Sequence, residues 1–441
     1  MRNLLVATVI LWSTIVSTGL AAPVVLTVAE ARARALRYNR YYLSAQEDLN
    51  KAKTEITSAR AGILPEVSVS GGYVRGLKIP SMFIYSDTGN MEFTTSLKNQ
   101  FSAGILVKQP IWEGGKALNA WAIARQYRQY SEDSLRAVEA GILYRADLLY
   151  YGSILRQSTL EVLNKSLEAN TENLSVVEKM YSKGVVSQYE LLRAKVERSN
   201  LLPQIMQAES DLRLAESHLK SFLGLSLSDT VQLIADSNDT TLAHIPTVDS
   251  LEQTALRLRP EMQAAEHLLN ITRRAVSVAK GDYWPTLDAY TSYNWQSQSN
   301  SFQLDKNQTK SWTAGLNLHI PIFNGFKTAA AVAYRKADNR KSRLFVDQLR
   351  DDITLEVQQA YDRLIQAKKS LEVQHETIAQ AEEGLKISKV RYQSGVGTQL
   401  EVLSAQAALT EARRALASAL FNFRDAKSGL KKATTIDLDA L

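Results

Sequence analysis

Tyr181-Ser182-Lys183-Gly184-Val185 recurs 211 residues later as Tyr392-Gln393-Ser394-Gly395-Val396, and this recurrence decides the fold. At the same offset Gln188-Tyr189-Glu190-Leu191-Leu192 matches Gln399-Leu400-Glu401-Val402-Leu403, and Pro110-Ile111-Trp112-Glu113-Gly114 matches Pro321-Ile322-Phe323-Asn324-Gly325. Further upstream the offset grows to 220: Leu36, Leu49-Asn50 and Pro65 align with Leu256, Leu269-Asn270 and Pro285. The first copy therefore holds nine extra residues between Pro65 and Pro110. Identities that keep their order over most of the chain mean one supersecondary unit built twice. The copies span residues 23–226 and 247–433, with a polar linker at 227–246 and a tail at 434–441.

Each copy reads as a helix, two strands and a long helical hairpin. Thr27 three residues before Glu30 is a capping-box start, and Thr247 before Asp249 is read similarly. The opening helices must end before Pro65 and Pro285, because the residue ahead of a proline avoids the α region. The period then changes to two. Val67, Val69, Gly71 and Tyr73 alternate with polar or small residues, as do Phe101, Ala103, Ile105 and Val107, although Leu106 breaks the polar side. In the second copy Leu287, Ala289, Tyr293 and Trp295, then Trp312, Ala314, Leu316, Leu318 and Ile320, do the same. About ten alternating residues with aromatics near the ends fit a membrane β-strand, apolar to lipid and polar to a lumen. A soluble sheet with one wet face would also alternate. Four such strands in duplicate favour the membrane.

The helical hairpins carry heptads. Leu201, Ile205, Ala208, Leu212, Ala215, Leu219 and Phe222 step by four and three, and their counterparts from Ala412 to Ala433 are all apolar. A sustained seven-residue repeat imposes left-handed coiled-coil packing. Asn170 interrupts the stripe of the ascending arm, and Pro203 should bend the return arm. From Gly115 to Gly184 is roughly 100 Å of helix, from Val185 to Ser226 roughly 60 Å, and from Val248 to Gly281 roughly 50 Å, at 1.5 Å per residue. The two short helices laid end to end match the long one.

At the N-terminus Arg2, an apolar run from Leu4 and small residues to Ala22 form a signal peptide over residues 1–22, with cleavage expected near Ala21 or Ala22. No later stretch is apolar enough for a transmembrane helix. The chain has no cysteine, which excludes disulfides, thiolate metal sites and a lipidated N-terminal cysteine. The formal net charge of +6 is small for 441 residues and both signs are interleaved, so nucleic acid is not an expected partner. Four strands cannot close a barrel, and an open edge is not tolerated in lipid, so the chain must oligomerise. Two chains give eight strands and three give twelve. Eight-stranded barrels fill with side chains, whereas glycines and short polar residues on the inner faces favour the wider one.

With these residues in place, the whole mature chain resembles the TolC-like outer-membrane efflux proteins. The turns Tyr181-x-x-Gly184-Val185-Val186-Ser187-x-x-Glu190 and Tyr392-x-x-Gly395-Val396-x-Thr398-x-x-Glu401 are similar to that family's periplasmic tips. The resemblance implies a mixed α+β membrane protein and a homotrimer. Its long helical hairpins form an α-barrel tunnel joined to a β-barrel of four strands per chain. It further implies docking through a periplasmic adaptor (a membrane fusion protein) onto an inner-membrane transporter, with drugs, ions or proteins leaving through the duct. A type I protein secretion conduit and a periplasmic coiled-coil scaffold without a pore are the alternative readings. Many relatives are lipoproteins, and some hold the closed tip with an arginine where this chain has Gly397.

Glu190 and Glu401 are candidates for an acidic ring at a pore gate, since such rings favour cations. Each also lies three residues after Ser187 or Thr398, where capping the helix accounts for the acid first. Tyr392 is a candidate latch that would hydrogen-bond Glu190 across hairpins, or else a coiled-coil core tyrosine. Gly184 and Gly395 should supply the positive φ that ends each ascending helix. Val185, Val186, Val396 and Gly397 should then be exposed at the tips as adaptor contacts. No catalytic constellation, metal-ligand spacing or cofactor motif is present, so no cofactor is expected.

Overall fold

The computed structural model describes residues 24–84, 89, 91–94, 96–234 and 245–437. The signal peptide and its cleavage site therefore lie outside the described residues. In chain order the first copy comprises β1 (Val24–Leu26), α1 (Val28–Tyr38), α2 (Arg40–Ala61), β2 (Glu66–Arg75), β3 (Ser81–Ile84), β4 (Met91–Thr94), β5 (Asn99–Glu113), α3 (Lys116–Ser182) and α4 (Gln188–Phe222), and β6 (Val231–Leu233) follows it. The second comprises α5 (Val248–Leu258), α6 (Pro260–Lys280), β7 (Thr286–Ser299), β8 (Gln308–His319), α7 (Lys327–Gln393) and α8 (Gln399–Thr434). Among the described residues no helix is long and apolar enough to cross a membrane.

The backbone repeats more strictly than the side chains. Positive φ recurs at Gly115 and Phe326, Gly184 and Gly395, and Gly224 and Thr435, each pair 211 residues apart. The opening helices differ from the sequence expectation, because each is broken in two. Asn39 (φ −70°, ψ 123°) and Arg259 (φ −63°, ψ 127°) are extended. At Arg259 the cause is Pro260, which excludes the preceding residue from the α region. At Asn39 the side chain compensates by donating to the Phe222 carbonyl at 3.1 Å. Thr27 forms the expected capping box with Glu30, whereas Thr247 makes no side-chain cap bond.

The chain folds into two compact units, each assembled from both copies of the repeat. The first contains residues up to Asn39, Ile142–Ala243 and Leu364–Ser428. Its core follows the heptads: Ile205, Ala208, Leu219, Ala412, Ala419, Phe423 and Ala426 are all buried. Leu163 packs with Ile205 and Ala208, and Leu160, Leu167 and Leu201 cover them. The stretch expected as a linker begins with β6, which pairs in parallel with β1 from Val24↔Val231 to Leu26↔Leu233. The buried Tyr150 hydroxyl donates to the carbonyls of Leu26 and Ile234, closing that sheet. Arg32 grips Asp147 with two bonds of 2.6 and 2.7 Å, and Ser428 donates to the same carboxylate at 2.8 Å.

The second unit contains Arg40–Gly141, His244–Arg363 and the residues from Gly429. It is built on a four-stranded antiparallel sheet in the order β2-β5-β7-β8. The strands run longer than the alternation alone marks, and β3 and β4 form an additional hairpin in the surplus of the first copy. Pro110 sits at a register shift between β5 and β7, where a missing N–H is tolerated. Away from the sheet, nearly buried Arg259 bridges Glu261 and Glu356. Burial alone would raise the Glu356 carboxyl, but Arg259 and Lys432 hold it below the usual carboxylate range. Gln358 donates to Glu252 at 2.8 Å, at the repeat positions of Asp147 and Arg32.

Candidate functional site

Two regions carry the candidate function: the sheet of the second unit and the hairpin tips of the first. The sheet register sorts side chains by face, because directly paired residues point the same way. One face carries Val69↔Ile105↔Tyr293↔Trp312, with Ala289↔Leu316 and Leu287↔Leu318 beside it. The other carries Ser70↔Gly104↔Asn294↔Ser311 and Asp288↔Asn317. The apolar face is largely exposed within one chain: Val69 is 77%, Trp312 79% and Leu316 68% accessible. The apolar face still satisfies its polar atoms. Trp312 Nε1 donates to Thr291 Oγ1 at 2.8 Å, and that hydroxyl donates on to the Thr313 carbonyl at 3.1 Å. On the polar face Ser292 and Thr313 share a hydrogen bond of 2.9 Å. Strands β2 and β8 are the two edges, each paired on one side only.

At the tips, α3 and α7 end in the same backbone motif. Gly184 (φ +74°) donates to the Tyr181 carbonyl, and Val185 donates to that of Met180. Gly395 (φ +78°) donates to Tyr392, and Val396 to Arg391. This is the Schellman arrangement, which needs a residue free to take positive φ. Val185 and Val396 are exposed as expected, but Val186 and Gly397 are half-buried. Gly397 folds back to donate to the Arg391 carbonyl. A Cβ there would lie 2.9 Å from Arg391 Cβ, so this backbone leaves no room for a side chain at that position.

The two glutamates, alike in sequence, differ in their surroundings. Each backbone N–H donates to its cap hydroxyl, Ser187 or Thr398, at 3.3 Å. The Glu401 carboxylate also accepts from Thr398 Oγ1 at 3.3 Å and sits 3.4 Å from Arg391 Nε. No ion pair engages the Glu190 carboxylate among the described residues. The expected Tyr392–Glu190 hydrogen bond is not made. The Tyr392 hydroxyl is buried without a partner, and burial first, then the Glu190 charge, push its pKa up. The link between hairpins is instead made by Gln399, 2% exposed, whose Nε2 donates to the Glu190 carbonyl at 3.1 Å. Sequence reasoning missed Gln399. Its repeat twin Gln188 is exposed, so the pattern held no sign that one of the pair turns inward.

Comparison with known proteins agrees with this architecture. The chain is 24% identical over 431 residues to the outer membrane efflux protein BepC of Brucella suis, covering 98% of this chain and 90% of that protein. It is 20% identical over 374 residues to the alkaline protease secretion protein AprF of Pseudomonas aeruginosa, covering 84% and 76%. Crystal structures of CusC superpose with a TM-score of 0.79 at 20% identity, covering 92% of this chain and 91% of that one. The sequence profile described as outer membrane efflux protein matches residues 31–225 and again 251–435. The chain is a member of the TolC-like outer membrane efflux protein family, located in the outer membrane and acting as an export channel rather than an enzyme.

Proposed function

We propose that this protein is the outer-membrane exit duct of a tripartite export system, conducting substrates passively from a periplasmic adaptor and an inner-membrane transporter to the exterior. The observation that carries this reading is the four-stranded sheet with one apolar face, one polar face and two unpaired edges. Such a sheet is stable in lipid only when copies of it close on one another. Three chains give a twelve-stranded barrel with a lumen wide enough to conduct. Two exposed stripes in the helical unit need a partner as well. Tyr189, Leu192, Val196 and Met206 on α4 keep a seven-residue register, as do Val373, Ile387 and Val390 on α7. A homotrimer covers both. Residues 1–22 serve as the signal peptide of this exported chain, and the duplicated unit spans 23–226 and 247–433.

The tip turns, with Val185 and Val396 outermost, supply the adaptor contact. Glu190, Glu401 and Tyr392 border the gate, and Glu190 has the dominant charge because Arg391 partly neutralises Glu401. The test is conductance in planar bilayers. Glu190→Gln should lower the cation-to-anion permeability ratio severalfold, and Glu401→Gln should lower it less. Gln retains the helix-start geometry, so trimer stability should be unchanged. A stable double variant with unaltered selectivity would leave both glutamates as helix caps. The likeness to AprF favours a second reading, a duct for protein secretion. A deletion strain separates the two: drug sensitivity with normal secreted protein supports efflux, and the converse supports secretion.

A further inference from the structure

We propose that the junction between sheet and helices in the second unit is a binding belt for anionic phospholipid of the periplasmic leaflet, with one headgroup seated among Trp121, Arg125, Arg128 and Arg274. The proposal rests on the reading above that the sheet lies in the bilayer. All strand ends that connect to long helices lie at one end of the sheet, so these helices leave it on the same side. Aromatic and apolar side chains crowd that end. Ile322, Phe323 and Phe326 are 95%, 76% and 75% exposed, and so are Trp112 at the end of β5, the repeat counterpart of Phe323, and Trp284 just before β7. Phe326 also holds φ +66°, where its repeat twin is Gly115. Phe326 packs edge-on against Phe323, with ring centroids 5.5 Å apart, and the pair presents the rest of its apolar surface outward. An interfacial aromatic collar supplies the reason.

Charge follows directly behind this collar. Between Lys327 and Arg343, α7 carries six basic residues against the single acid Asp338. The next seventeen residues, Leu344–Ala360, reverse the sign, with four acids against Arg350. Within α7 the signs are thus segregated, basic near the sheet and acidic beyond it, although over the whole chain they are interleaved. Side chains on a helix lean toward its N-terminus, and the N-termini of α3 and α7 are the ends nearest the sheet. Their long basic side chains are thus directed at the headgroup level, where anionic lipids attract clustered Lys and Arg.

Within this zone Ile56, Trp121, Arg125, Arg128 and Arg274 line a cavity of about 500 Å³. Arg128 is partly neutralised by Glu132 at 2.8 Å. Arg125 and Arg274 have no ion-pair partner among the described residues, and the Arg125 guanidinium stands 5.4 Å from the Trp121 ring centroid. Trp121 Nε1 is buried without a hydrogen-bond partner. Glu132 and the amides of Gln126 and Gln129 also line the recess, but three guanidinium groups outnumber its one carboxylate and the indole N–H is unused, so its net charge and free donors complement a phosphate.

Native mass spectrometry of the intact detergent-solubilised protein tests this with added phosphatidylglycerol, phosphatidylcholine or inorganic phosphate. Phosphatidylglycerol adducts should exceed phosphatidylcholine adducts on the order of tenfold. The triple variant Arg125→Gln, Arg128→Gln, Arg274→Gln should lose that preference, and Trp121→Phe should weaken it. Inorganic phosphate should not displace the lipid. Equal adducts for the two lipids, a preference that survives the triple variant, or displacement by phosphate alone would each overturn the proposal. Gln is a good helix former, and outer-membrane fractionation of the same variants reports their assembly. A wild-type protein missing from the outer membrane would instead overturn the barrel reading. One that is present but shows no lipid preference overturns only the belt.

Discussion

Leu316→Arg should abolish assembly in the outer membrane, while Asn317→Arg leaves the oligomer intact and changes its conductance. Leu316 is opposite Ala289 on the apolar face, one same-face step from the middle of β8, and is 68% exposed. Arginine on a lipid face costs about 2–4 kcal/mol near the bilayer midplane, and every chain of the proposed trimer would bear that cost. Asn317 is opposite Asp288 on the other face. There a guanidinium meets water and a carboxylate, so it alters the field of the lumen and not the insertion of the strand. Heat-modifiable mobility of outer-membrane extracts measures assembly, and single-channel recording measures conductance. Equal tolerance of arginine at both positions would remove the assignment of the faces.

The second large effect concerns the repeat-related pairs Arg32–Asp147 and Glu252–Gln358. Asp147 has a side chain only 5% accessible and is held by Arg32 at 2.6 Å. Arg32→Met leaves a buried carboxylate with the Ser428 hydroxyl as its main support. Removing one partner of a buried pair costs about 3–5 kcal/mol, most of it from the stranded charge. The pair formed by Glu252 and Gln358 is exposed. Glu252→Met should therefore stay within about 0.5 kcal/mol, as surface substitutions usually do. Urea denaturation followed by far-ultraviolet circular dichroism reads both variants. Comparable losses would show that the second pair is as firmly committed as the first.

Much of this architecture was legible because it rests on period and repetition. The shift from a seven-residue to a two-residue pattern located the helices and the four long strands. Heptads from Leu201 and from Ala412 named core positions that are buried or half-buried in the helical unit. Gly184 and Gly395 were readable because a helix that ends in a Schellman turn needs positive φ. Other features depend on side chains that meet across distant segments, and no local pattern encodes such meetings. The break at Asn39 has no proline to announce it, and its side chain finds the Phe222 carbonyl only in the folded unit. Short β1 and β6 are strands because they find each other.

The residues proposed at the gate show the same division. Sequence placed Glu190 and Glu401 at equivalent positions three residues after a capping hydroxyl. Tertiary structure gave Glu401 an arginine and left Glu190 without one, buried the Tyr392 hydroxyl away from any partner, and turned Gln399 inward to bridge the hairpins. Sequence by itself determined the duplicated unit, the alternation of faces and the turns, since each follows from backbone periodicity and local sterics. Only the tertiary structure decided which charges are paired and which polar atoms are buried. Those depend on distances across a turn, as for Arg391 and Glu401, or between hairpins, as for Gln399 and Glu190, and electrostatic and hydrogen-bond energies change steeply over a few ångströms.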